Sequence, residues 1–108
     1  METWDVRSLE IESHHPQVLR SDAETRAIAI SLPAGEELQE HQVHERTYLV
    51  VVDGEVSISA DGGSVSGGAG LLAHFEPNER RTIQAVSDAR LLLVLAPWPG
   101  EGHPSQPH

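Results

Sequence analysis

Two imidazoles, a carboxylate, a hydroxyl and a phenol are crowded into one short run, His41-Gln-Val-His44-Glu45-Arg-Thr47-Tyr48. Imidazole beside carboxylate can either shuttle a proton or hold a divalent cation. In an extended chain residues two apart share a face, so His41, Val43, Glu45 and Thr47 point one way. His44 joins that face only if a β-bulge resets the alternation, and otherwise reads as a solvated residue between loop and strand. The chain has no cysteine, which removes thiolate metal sites and cysteine nucleophiles. A metal set of His41, His44 and Glu45 would therefore suit zinc, iron or nickel better than calcium. A third imidazole, His74, lies in the apolar run Leu71 to Phe75 and must find a hydrogen-bond partner if it is buried. It is either part of a site or a satisfied residue of its wall.

Strands are the elements that must position these groups. Thr25 to Leu32 alternates Arg26, Ile28, Ile30 and Leu32 with the smaller Thr25, Ala27, Ala29 and Ser31, which predicts a strand with two unequal faces. Thr47 to Val52 is β-rich and ends at Asp53-Gly54, the dipeptide typical of a tight hairpin, before Glu55 to Ser59 alternates again. The glycine-rich stretch from Gly62 to Gly70 excludes a helix and leaves room for a short strand around Val65. Leu71–Phe75, Thr82–Val86 and Leu91–Leu95 are further strands, with turns at Pro77-Asn78-Glu79 and Ser87-Asp88. No window keeps a helical period. Short strands with a turn every eight to twelve residues predict an all-β sandwich or barrel closed on one core.

Size and charge narrow the functions. At 108 residues the chain suits one domain, taken as 1–97, with a Pro-, Gly- and His-rich tail over 98–108 expected to be flexible. All seven basic residues are arginine and the formal charge is −10, which repels phosphate backbones, so no nucleic acid is expected as a partner. The longest apolar runs fall far short of the roughly 20 residues of a membrane span, and the N-terminal residues lack the pattern of an export signal. No membrane partner is expected, and the cytoplasm is the default location.

The spacing Gly35, His41, Gly54 is in register with the first motif of the cupins, G-x5-H-x-H-x3,4-E-x6-G, and Leu-Pro-Ala-Gly before it and Val-Val-Asp-Gly-Glu-Val after it resemble that family's strand-turn phrasing. The second motif, G-x5-P-x-G-x2-H-x3-N, can be laid on Gly70 through Ala85, where the glycine matches and Pro77 falls one place late. The likeness covers about residues 25–97. It implies a single cupin β-barrel, a jelly-roll-like double-stranded β-helix, often a homodimer, with its site inside the barrel mouth.

In that family two His and a Glu of the first motif and a His of the second converge on a divalent metal. Here Val43, Thr47 and Arg81 stand at three of those four places. Arginine cannot ligate a metal, and its charge repels one. The resemblance thus implies a barrel with a degenerate metal motif. An inward Arg81 would need a carboxylate, from Glu45, from Glu76 or from a ligand.

The reading favoured is a small organic ligand, with or without an acidic group, bound in the barrel by Arg81, Thr47, Tyr48 and His74, without a metal. Turnover, if any, would use His41 and Glu45 for proton transfer and Arg81 to stabilise developing negative charge. The alternatives are a metal-dependent oxygenase, isomerase or epimerase on His41, His44 and Glu45, and a non-catalytic sensory or structural dimer module.

Overall fold

The computed structural model describes residues 1–13, 15–38, 43–61 and 63–99, and among these every regular element is a strand. There are nine: β1 Gln17–Ser21, β2 Arg26–Leu32, β3 Glu37–Leu38, β4 Arg46–Asp53, β5 Val56–Ala60, β6 Gly63–Gly67, β7 Leu72–Phe75, β8 Arg81–Ala85 and β9 Ala89–Ala96. They form two antiparallel sheets, one in the order β1-β2-β9-β4-β7 and the other β3-β8-β5-β6. From β2 onward the chain passes repeatedly between the sheets, and only β5 and β6 are consecutive strands paired side by side in that part. Among the described residues no helix is long and apolar enough to cross a membrane.

Strict alternation along the longest strands builds the core. In β9, Ala89, Leu91, Leu93 and Leu95 are buried, while the residues between them are only half-buried. They lie opposite Leu32, Ile30, Ile28 and Arg26 of β2 on one side and opposite Val51, Leu49 and Thr47 of β4 on the other. Val56 and Ile58 of β5 and Ile83 and Ala85 of β8 close the core from the second sheet. Burying a branched aliphatic side chain contributes about 1.5–3 kcal/mol, so this two-sided alternation is the main force that sets the register.

The turn at Asp53-Gly54 exists, with Gly54 at φ +81°, but it is not the expected hairpin. β4 ends in the five-stranded sheet and β5 begins in the four-stranded one. The apolar faces of the two strands therefore meet across the core instead of lying side by side. Gly54 is needed for more than its dihedral: a Cβ there would lie 2.1 Å from the carbonyl oxygen of Asp88, against the β8–β9 connection.

Two segments close the outside. Arg90, on the outward face of β9, donates through Nη1 to the carbonyls of Val6 (2.9 Å) and Leu9, which holds the N-terminal stretch over the five-stranded sheet. Trp98, assigned from sequence to the tail, is half-buried, donates its backbone N–H to Glu24 O at 3.1 Å and carries the Arg26 guanidinium 3.9 Å above its ring. The remainder of the expected tail, 100–108, lies outside the described residues.

Candidate functional site

The strand register gathers the site at one end of the barrel. β4 and β8 both begin there, so Thr47, the second residue of β4, and Arg81, the first of β8, turn into the interior. Thr47 is fully buried and Arg81 is 7% exposed. Glu45, in the bend just before β4, is 2% exposed. These three are the buried polar or charged residues among those described, and all three were candidates from sequence. Thr47 Oγ1 donates to the Glu45 carbonyl at 3.2 Å, which ties the bend to the strand.

Arg81 is the departure from an ordinary core. Its guanidinium carbon sits 4.6 Å from the centre of the Phe75 ring, a cation–π arrangement. Its Nη1 is buried and, among the described residues, has no hydrogen-bond partner. Glu76, one expected partner, is turned to the surface and pairs with Arg46 at 3.4 Å instead. Burial pushes the Arg81 pKa down, and the charge of Glu79 pulls it part of the way back. A buried cationic donor without an acceptor is costly, by about 1–3 kcal/mol and more when charged.

The mouth above these residues is clasped by Asn78. Asn78 has φ +66°, a left-handed conformation that asparagine tolerates better than most residues. Its backbone N–H donates to Val43 O at 2.7 Å, and its Oδ1 accepts from His44 Nδ1 at 3.0 Å. The β7–β8 turn is thereby pinned to the loop before β4. The Pro77-Asn78-Glu79 turn was legible in the sequence, but the clasp was not, because it joins residues 34 apart.

His41 lies outside the described residues, so the set His41, His44 and Glu45 is described only for its last two members. Among the described residues, no three His, Asp or Glu side chains are grouped to hold a metal. Tyr48 does not join the interior. It follows inward Thr47, so it faces outward, 41% exposed, opposite His74, with ring centroids 5.1 Å apart. The expectation that Tyr48 helps line the barrel is corrected by the alternation rule itself. His74 is exposed on the same outer face, and it reaches the rim of an open groove at the edge of β7.

That groove has a volume of about 360 Å³ and runs between the inner faces of β5, β6 and β7, with Ile58, Ala60, Val65, Ala73 and Phe75 on its walls. Sequence reasoning did not find it, because it depends on two edge strands from different sheets failing to meet.

Among the described residues, the donor chemistry at three of the four ligand places does not fit the divalent metal that a cupin barrel implies. Where the resemblance calls for imidazole or carboxylate, the interior holds a core-packing valine, a buried threonine and a buried guanidinium. His44 Nδ1 is engaged by Asn78.

No protein-family model matches the sequence, and none of the curated proteins does. Solved structures match closely in shape. An RmlC-like cupin protein from Desulfovibrio desulfuricans superposes with a TM-score of 0.79 at 18% identity, covering 90% of this chain and 97% of its own. A conserved protein with a double-stranded β-helix domain from Klebsiella pneumoniae gives 0.79 at 17% identity, covering 93% of each chain. An RmlC-like cupin from Shewanella frigidimarina gives 0.75 at 23% identity over 86% of this chain and 87% of its own. With two facing sheets and a chain that crosses between them, this is a small protein with the double-stranded β-helix fold of the cupins.

Proposed function

We propose that the barrel binds a small organic molecule carrying an acidic group, with the acid accepting from Arg81. The observation that carries this reading is the buried, unpartnered Nη1 of Arg81. A guanidinium stacked on an aromatic ring presents its remaining N–H groups in a fixed fork, the geometry that suits a carboxylate. Thr47 and Glu45 are buried at the same end of the barrel. Glu45 offers a carboxyl group for proton transfer if the bound molecule is turned over, with His41 as the second partner expected from sequence.

Isothermal titration of acetate and benzoate into the wild type and Arg81→Gln tests the reading. A charged hydrogen bond contributes about 1.5–3 kcal/mol, so the glutamine variant should bind at least about tenfold more weakly. Equal affinity in both proteins would sink the assignment. A stoichiometric metal in tag-free protein, lost in both His41→Ala and His44→Ala, would replace this reading with the metal-dependent one.

A further inference from the structure

The inner face of β6 is nearly bare of side chains. Gly63, Val65 and Gly67 are its inward positions, opposite Ala60, Ile58 and Val56 of β5. The two glycines are not equivalent. At Gly67 the space is taken by the Leu71 side chain, which would lie 2.9 Å from an added Cβ. At Gly63 nothing lies within 4 Å. The vacancy therefore sits at the Gly63 end of the strand, and Val65, although inward-facing, is 50% exposed.

That end is also where Arg81 lies. Gly63 pairs with Ala60, and Ala60 pairs with Arg81, so the three form one row across β6, β5 and β8 on the inner face. Ala60, with only a methyl group, thus stands beside a guanidinium that is nine-tenths buried and has a donor unpartnered among the described residues, and Gly63 lies one strand further out. The Phe75 ring is common to both places, since it lines the groove and carries Arg81 over its face. β6 and β7 are the last strands of their sheets and are not paired with each other, so the interior opens sideways between them.

We propose that this lateral groove seats the apolar body of the acid whose carboxylate is held by Arg81, so that the ligand is a monocarboxylate with a ring-sized apolar body. The inference rests on the acid-binding reading above and adds where the rest of the molecule goes. The walls are apolar along Ile58, Ala60, Val65, Ala73 and Phe75, with Asp61, Ser64, His74 and Glu79 as polar members, and a volume of about 360 Å³ falls at the low end of the roughly 300–1,000 Å³ of small-molecule sites. Asp61 and Glu79 lie along the groove and disfavour a second negative charge. A diacid is therefore discriminated against, while a neutral ring is accepted.

Calorimetric titration of acetate, benzoate and phthalate into the wild type, Gly63→Leu and Arg81→Gln tests this. Gly63→Leu adds a side chain into open space at an exposed position, so its melting temperature should match the parent's and a loss of binding cannot be ascribed to misfolding. The expected result is benzoate tighter than acetate and phthalate in the wild type. In Gly63→Leu, benzoate should weaken at least about tenfold, the cost of excluding a ring from apolar contact, with acetate unchanged. Benzoate no tighter than acetate, or unaffected by Gly63→Leu, with both acids lost in Arg81→Gln, overturns the groove and spares the acid site. Acids that bind Arg81→Gln as well as the parent overturn both.

Discussion

The two ends of the barrel are built on opposite principles. At the end holding the β4–β5 and β8–β9 connections, the polar groups of the turns find partners in neighbouring turns and strands. Gly35 N–H donates to Ala85 O at 2.8 Å and Ala85 N–H to Glu36 O at 2.9 Å. Ala34 N–H donates to Asp88 Oδ1 at 2.8 Å, and Glu55 N–H to Ser87 Oγ at 3.0 Å. At the opposite end, Glu45, Thr47 and Arg81 are drawn into the interior, and one donor of Arg81 is left without an acceptor. Polar satisfaction is the general rule of folded interiors, so the exception at one end is what supports the acid site proposed there. One end is a closure, and the other is where the proposed site lies.

The contrast is open to attack by mutation, beginning with the closure. Gly54→Val should destabilise by about 3 kcal/mol or more, combining the cost of a side chain at positive φ with overlap on the Asp88 backbone. Urea unfolding measures it, and a variant as stable as the parent would contradict the close approach. Arg81→Met should move the other way. Removing a buried charge with an unmet donor should raise stability by about 1–3 kcal/mol while acid binding is lost. A destabilised Arg81→Met would mean that the guanidinium is a structural support, and the two ends would then be alike.

Smaller effects sharpen the same division. Asn78→Ala loses the clasp to His44 and strains a left-handed position, for about 1–2 kcal/mol in thermal unfolding, and Asn78→Gly should recover the backbone part. Gly35→Ala should cost only about 1 kcal/mol, since Gly35 shares the positive φ of Gly54 but a Cβ there would meet nothing. The difference between Gly35 and Gly54 then isolates the packing contribution from the dihedral one.

The closure was the harder part to read from sequence. Asp53-Gly54 between alternating runs is a strong local hairpin signal, yet local signals do not say which sheet the next strand will join. That choice follows from Val56 and Ile58 facing Leu49 and Val51 across the core, and from Gly54 lying against a turn 34 residues away. The alternation of β2, β4 and β9 was legible, because each has a period of two and an inner face that is apolar apart from Arg26 and Thr47 at the ends of β2 and β4. The same parity placed Glu45 and Thr47 inside and, applied consistently, would have placed Tyr48 outside. Phe75 beneath Arg81 and the vacancy at Gly63 were invisible, since both arise from pairings between strands far apart in the chain.

Arg90 Nη1 holds the N-terminal stretch through the carbonyls of Val6 and Leu9, while Glu2 ahead of them pairs with Arg20. A residue that grips backbone rather than side chains is indifferent to the sequence it grips. Substitutions along residues 6–9 should therefore be tolerated, while a deletion reaching past Leu9 would strip a part-buried guanidinium of both acceptors. This makes Arg90 the natural marker for trimming the chain: versions that still include Val6 and Leu9 keep both acceptors, and versions that begin after Leu9 lose them.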